Sequence, residues 1–254
     1  LPFGTVLTLP ATGSEMNMNS VVSRREIGKK LAFAAEKVYP QFSVLDPTFT
    51  YTLPRRQTRN GVIDAFVHVM EQYLTRPANA EIQDRFAESI AQTLVKEGPV
   101  ALKKPEDYDC RANIMLAATM ALNHLIAVGV PQDWSSHLIG HELTALYGLD
   151  HAETLAIALP KVMEYKKAQK LDKIVQLGRR VFGIEEKGKI KAANATIEAV
   201  KKFFVKMGAG VELKSHKLPA DAPEAVGKNI ARTYKAIGEN GDITPADVVK
   251  ILKI

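Results

Sequence analysis

Two stretches far apart in the chain hold the residues that most restrict how it can fold. Gln132 to His151 reads QDWSSHLIGHELTALYGLDH and carries His137, His141 and His151, with His124 just upstream; these are four of the six histidines. The other stretch, GVIDAFVHVMEQY from Gly61 to Tyr73, sets Asp64 and His68 four residues apart in a strongly helical run. Residues at that spacing lie one turn apart on one helix face, with Cβ atoms about 5 to 6 Å from each other. Asp64 and His68 can therefore reach one ion together, and so can His137 and His141. His151 follows Gly148-Leu149-Asp150, a turn-like break that lets its side chain swing back towards the helix before it. A single Asp-x-x-x-His pair is ordinarily a surface pair or a cap. The histidine clustering, flanked by Trp134, Gly140 and Gly148 in an apolar region, is what makes a metal or catalytic site a serious candidate.

A mixed nitrogen and oxygen donor set drawn from two helices suits zinc or ferrous iron and not magnesium or calcium. The zinc-protease arrangement is disfavoured by order, because the glutamate of HLIGHE follows the second histidine where that helix needs HExxH. Spacing alone leaves open whether His137 or His141 is the ligand.

At 254 residues, 46% of them hydrophobic, the chain has ample material for a core. Its one cysteine, Cys110, excludes an intrachain disulfide and fits a reducing, cytoplasmic compartment. No signal peptide is visible and the apolar runs are too short to cross a bilayer, so no membrane partner is expected. Much of the net charge of +6 comes from lysines between Lys161 and Lys206 that alternate with acids on expected helices. Such a pattern reads as a solvated face and not as a nucleic-acid patch.

Residues 1–53 read as short strands, GTVLTLP, NSVVSRR, KKLAFAA and FSVLDP, separated by Gly, Asn and Pro signals. Between the first two, Ala11 to Glu15 is a small-residue loop whose donors could lie against a phosphate or ribose. Lys29 and Lys30 read as solvated charges, with one able to reach a phosphate from a hairpin. From Leu53-Pro54 the period turns helical. Val62, Ala65, Phe66, Val69, Met70 and Tyr73 form one core stripe beside Asp64 and His68. Further helices are expected from Ile82 to about Gly98-Pro99, from Asp109 to Ala127, and from a cap at Ser135 or Ser136 through His141. Others follow over 152–167 with an interruption at Pro160, around Leu171 to Leu177, around Ile197 to Phe204, and after Thr244-Pro245. Gly208 to Pro223 reads as loop. The fold class is thus an α+β fragment, with residues 1–53 β-rich and 54–254 an all-helical domain. The opening LPFGTVLTLP, with no initiator Met, reads as entry into the middle of a longer protein.

Four segments in order, TLPATGSEMN (Thr8 to Asn17), FSVLDP (Phe42 to Pro47), GVIDAFVHVMEQY and PQDWSSHLIGHELTALYGLDHAETLAIALP (Pro131 to Pro160), together resemble the iron-containing, or group III, alcohol dehydrogenases. The branch they look like is that of NADPH-dependent butanol dehydrogenases and aldehyde reductases. The resemblance implies that residues 1–53 are the remnant of an α/β dinucleotide-binding domain and that the helical remainder is the metal-binding, catalytic domain. It implies metal ligation by Asp64, His68, His137 and His151, with Fe²⁺ or Zn²⁺ as the ion. It places His141 beside the site, where a proton relay or the orientation of a ligand are its two readings. The cofactor contacts it carries over are Thr8, Leu9, Asn19, Lys30 and Phe49, with NADP(H) expected in preference to NAD(H).

The activity so implied is hydride transfer between NAD(P)H and a small alcohol or aldehyde, the metal acting as a Lewis acid on the substrate oxygen, in a protein that is a homodimer at full length. The alternative is a metal-binding helical module without redox activity. A non-redox metal lyase or hydrolase of related fold is a third reading, against which the four-ligand set and TLPATGSE both speak.

Overall fold

The computed structural model describes residues 1–254, the side chain of Arg25 excepted. Helix α1 (Arg55–Tyr73) is its axis, and every residue from Gly61 to Tyr73 is buried. The expected single stripe is therefore an all-round one: Val62, Ile63, Phe66, Val67, Val69 and Met70 face in every direction, as they do on a central helix. Around it pack α2 (Glu81–Ala101), α3 (Tyr108–Ala121), α5 (His151–Tyr165) and α7 (Lys189–Met207), with α6 (Leu171–Phe182) closing the layer beside α2 and α7. Phe66 meets Phe203 and Phe204 with ring centroids 5.2 and 5.8 Å apart. A second core lies among α4 (Ser135–Tyr147), α5, α8 (Ala222–Ala231) and α9 (Pro245–Lys253). Helix α5 is the wall between the two, giving Leu155, Ala156, Leu159 and Met163 to the first and Ile157, Ala158 and Val162 to the second.

Packing overrides local sequence signals in several places. The interruption expected at Pro160 does not occur, and α5 runs through it. A proline costs an isolated helix about 3 kcal/mol, but here both neighbours, Leu159 and Lys161, are buried between the cores. Helix α2 likewise continues past Pro99. Helix α3 instead ends at Ala121, short of the expected Ala127: the Leu122 carbonyl accepts a hydrogen bond from Asn17 Nδ2 at 3.1 Å, and His124 turns left-handed at φ 70°. Helix α8 occupies a stretch where no helix was expected.

The amino-terminal part forms two small sheets. β1 (Gly4–Val6) pairs in parallel with β4 (Phe42–Val44), and β2 (Asn19–Arg24) with β3 (Lys29–Ala34) in an antiparallel hairpin. The loop after β1 is anchored at its far end, while Thr12 and Ser14 stay exposed. Glu15 and Asn17 are buried, Thr119 Oγ1 donates to Glu15 Oε1 at 2.5 Å, and Asn17 is fastened to two carbonyls. The Pro10 carbonyl crosses α1 directly over Gly61, so closely that a Cβ there has no room. Lys29 is not a solvated charge. Its Nζ donates to the Asn229 carbonyl at 3.0 Å and to Thr233 Oγ1 at 2.7 Å, and lies 3.7 Å from Glu142, pinning the hairpin to α4 and α8. Lys161, Lys166 and Lys170 also leave the expected solvated face, each buried and paired with an acid. Among the described residues, no helix is long and apolar enough to cross a membrane.

Candidate metal centre

Asp64 and His68 project from successive turns of α1. Helix α4 starts on Trp134, itself left-handed at φ 61°, and not on a serine cap; Asp133 Oδ1 accepts the Ser135 N–H at 3.0 Å. The sharp entry puts His137 in the first turn. Gly148 ends α4 at φ 68°, a conformation that suits glycine, and the reversal makes His151 the first residue of α5. The result is convergence on one atom: the Nε2 atoms of His68, His137 and His151 lie 3.6, 3.7 and 3.5 Å from Asp64 Oδ1. Ligand-capable atoms of Asp64, His137 and His151 lie within 4.8 Å of one another; His68 joins through Asp64 and by stacking on His137, with centroids 4.7 Å apart.

This group fits a divalent ion. Asp64 Oδ1 and His137 Nε2 are buried without a hydrogen-bond partner, an arrangement that is costly unless something else satisfies them. Four-coordinate sites with bonds of about 2.0 to 2.2 Å set their ligand atoms about 3.3 to 3.6 Å apart, close to the spacing found around Asp64 Oδ1.

Neighbouring side chains hold the donors in place. Glu71 Oε1 accepts the His137 backbone N–H at 2.8 Å and lies 3.1 Å from His137 Nδ1. With the Nδ1 proton given to that carboxylate, Nε2 keeps its lone pair for an ion. Glu71 is the residue that sequence reasoning missed, although its place seven after Asp64 and three after His68 puts it on their helix face. The start of α5 is tied to α1 as well. Asn60 donates to Asp150 Oδ2 at 3.1 Å, Arg56 lies 3.4 Å from the same oxygen, and Arg59 pairs with Glu153 at 2.5 Å.

Burial by itself disfavours an ionised Asp64, but the surrounding His68, His137 and His151 imidazoles reverse this, and its carboxyl is held well below the usual range. Burial pushes His68 down to about 4 and His151 down to about 3 against the attraction of Asp64. At His137, burial is outweighed by the neighbouring Asp64 and Glu71 carboxylates, and the pKa is raised. His68 and His151 are thus neutral donors beside a carboxylate, the protonation state that an ion requires.

His141 is buried one turn further along α4, its ring 6.3 Å from that of His137 and 5.2 Å from that of His151, and it does not reach Asp64 as those two do. Burial, with repulsion from His151, Lys30 and His137, pushes it down to about 2. Its surroundings thus favour the uncharged imidazole. His124 lies outside the cluster, its Nε2 buried without a partner.

Of the expected cofactor contacts, Lys30 is close enough to the centre to interact with Asp64: burial lowers its pKa while the Asp64 charge acts to raise it. It lies opposite Ser23 and so shares a hairpin face with Asn19, which is four residues along β2 from Ser23, about 13 Å away. Thr8 and Phe49 are exposed and Leu9 half-buried, just before the Pro10 crossing. Trp134 sits over the cluster, its ring 5.1 Å from His137 and 6.1 Å from His68.

Residues 58–254 match the family model for the C-terminal part of the Fe-containing alcohol dehydrogenase family. The chain belongs to the iron-containing alcohol dehydrogenases. Within the family it is 52% identical over 245 residues to the NADPH-dependent aldehyde reductase YqhD of Escherichia coli K12, an alignment covering 96% of this chain and 63% of that protein. It is 38% identical over 256 residues to the NADH-dependent butanol dehydrogenase A of Clostridium acetobutylicum, covering 100% of this chain and 66% of that one. The crystal structure of E. coli YqhD superposes with a TM-score of 0.97 at 50% identity, over 99% of this chain and 65% of that one. An NADH-dependent butanol dehydrogenase A structure from Thermotoga maritima gives 0.93 at 34% identity, over 100% and 65%. The chain thus spans slightly less than two thirds of these iron-containing relatives. All four converging donors, with Glu71 and His141, fall inside the family match, whereas Thr8, Leu9, Asn19, Lys30 and Phe49 precede it.

Proposed function

We propose that this chain is the metal-holding part of an oxidoreductase that moves hydride between NAD(P)H and a small alcohol or aldehyde. The observation that carries the reading is the convergence of three imidazole Nε2 atoms on the single buried oxygen of Asp64. Asp64, His68, His137 and His151 hold a divalent ion, Fe²⁺ or Zn²⁺, both of which suit three imidazoles and a carboxylate. Bound there, the ion supplies Lewis acidity to a substrate oxygen.

The chain's own residues do the rest. Glu71 keeps His137 in the tautomer with Nε2 free. The Trp134 ring walls the site and excludes water, favouring small apolar substrates. His141, buried beside His137 and His151, relays a proton by accepting one at one ring nitrogen and releasing one from the other. Lys30 and Asn19 line one face of the hairpin at a separation that suits an extended dinucleotide, with Thr8, Leu9 and Phe49 as its further contacts. NADPH is preferred to NADH on the strength of the 52% identical relative, whose name specifies NADPH; the butanol dehydrogenase at 38% is named for NADH. The 1–53 and 54–254 segments are the cofactor-side and metal-side parts of a longer, homodimeric cytoplasmic protein.

Asp64→Ala and His151→Ala test the reading together. Each is expected to empty the site of Fe²⁺ or Zn²⁺ by elemental analysis and to abolish NADPH oxidation with a short aldehyde. Full metal content and normal turnover in either variant overturn it. An unaltered chain that binds metal but oxidises no NADPH leaves a metal-binding helical module in its place.

A further inference from the structure

Lys170, the residue just before α6, points into the protein. Its Nζ lies 2.6 Å from Asp133 Oδ2 and 3.3 Å from Glu239 Oε1, and the two carboxylates retain only 2% and 3% of their side-chain exposure. Desolvating three charges is costly, and an apolar cluster of similar volume is often at least as stable. Stability alone is a weak reason for such a group.

Its connections point to another reason. Asp133 Oδ1 accepts both the backbone N–H and the hydroxyl of Ser135, while the Asp133 N–H donates to the Glu71 carbonyl at 2.9 Å. Glu239 Oε2 accepts the Arg76 N–H at 2.8 Å. Between Asp133 and Ser135 stands Trp134, whose left-handed backbone is unfavourable for a residue with a side chain and persists only where its surroundings enforce it. The three charges therefore grip the entry to α4 two residues before His137, and bind it to the part of α1 that carries Glu71.

We propose that the Asp133–Lys170–Glu239 cluster is a positioning device for the metal centre: Lys170 holds Asp133 where it keeps Trp134 left-handed and aims His137 Nε2 at Asp64 Oδ1. The inference rests on the metal reading of the four donors. Without the lysine, two buried carboxylates repel each other, Asp133 turns away or takes up a proton, and the Ser135 N–H is released. His137 then drifts, while Asp64 and His68 stay fixed in α1. One ligand is disturbed out of four, so affinity falls without being lost.

Titration of the 254-residue chain with Co²⁺, followed by visible absorption, reads affinity and coordination geometry together, independently of turnover. Lys170→Met and Asp133→Asn are expected to weaken binding about tenfold, as loss of a partner behind a ligand typically does, and to alter the ligand-field bands. Lys170→Arg, which keeps the charge, is expected to restore both. Lys161→Met is the control, because Lys161 is as deeply buried and pairs with Glu212 at 3.0 Å but does not touch the α4 entry; it should lower stability and leave Co²⁺ binding unchanged. Folded Lys170→Met or Asp133→Asn with unaltered affinity and bands overturns the proposal, as does an equal loss in Lys161→Met. Should Lys170→Met not fold, Asp133→Asn decides, since Lys170 keeps Glu239 in that variant. Failure of the unaltered chain to bind Co²⁺ fells the metal reading itself, which is a different result from unequal binding among variants.

Discussion

One carboxylate, Glu71, sets both the backbone and the ring of His137, accepting the N–H at 2.8 Å and facing Nδ1 at 3.1 Å. Glu71→Ala removes both restraints, and metal affinity is expected to fall about 10- to 100-fold, the usual effect of deleting a histidine's carboxylate partner. Glu71→Gln, which still offers an oxygen at the same place, should lose less. A competition titration with a zinc chelator measures the difference, and equal affinity in all three proteins would show that His137 is oriented by something else. Gly61 is a second residue where one atom matters. Because the Pro10 carbonyl occupies the space a Cβ needs, Gly61→Ala must push the amino-terminal crossing off α1, at a cost of about 1–3 kcal/mol, as for other overpacked sites. The urea midpoint should drop accordingly, and no drop would mean that the crossing is loosely held.

The elements divide into those whose reasons are local and those whose reasons are not. The i, i+4 spacing of Asp64 with His68 and the glycine break before His151 are legible in the amino-acid sequence, because helical period and glycine conformation are local physics, but spacing does not choose between His137 and His141, and only the family resemblance implies that choice. Glu71 is equally open to reading by its i+7 position, but a glutamate on a buried helix gives no sign of which distant residue it will meet. Trp134 as the left-handed start of α4 is not legible, since its conformation is enforced by Asp133, Lys170 and Glu239 from three parts of the chain. Nor is the uninterrupted passage of α5 through Pro160, which two cores impose from opposite sides. The start of α9 is the opposite case. Thr244 and Asp247 form a reciprocal capping box around Pro245, and the sequence shows it directly. Helix α9 brings Val248, Ile251 and Leu252 to the second core, so Thr244→Ala, losing about 1 kcal/mol of cap, should lower the melting temperature by about 2–4 °C. A calorimetric scan with no shift would mean that α9 is held by packing alone.

Two cores joined by one shared helix raise the question of what keeps them in register, and Asp133 is where the answer can be measured. It lies at the α4 entry, bonds to α1 through its backbone, and meets Lys170 at the head of α6 and Glu239 in the turn leading to α9. Burial tends to raise its pKa, but the Lys170 charge and the hydrogen bonds from Lys170 and Ser135 more than offset this, and the carboxyl is held below its ordinary value. In the unfolded chain Asp133 takes up its proton near pH 3.9, about the value for a free aspartate, whereas in the fold it stays ionised to lower pH. Its stabilisation is consequently complete above the unfolded value and is lost as pH falls through the folded one. Asp133→Asn should therefore have a lower urea midpoint than the unaltered chain at pH 7, measured with chelator present so that bound metal does not contribute. As the pH is taken below about 4 the two midpoints should converge, because the unaltered chain loses the ionised carboxylate that the variant never had. Midpoints that stay a constant distance apart from pH 7 to pH 3 would mean that the charge of Asp133 contributes nothing. The two cores would then be joined by the shape of the side chains at this junction and not by their ionisation.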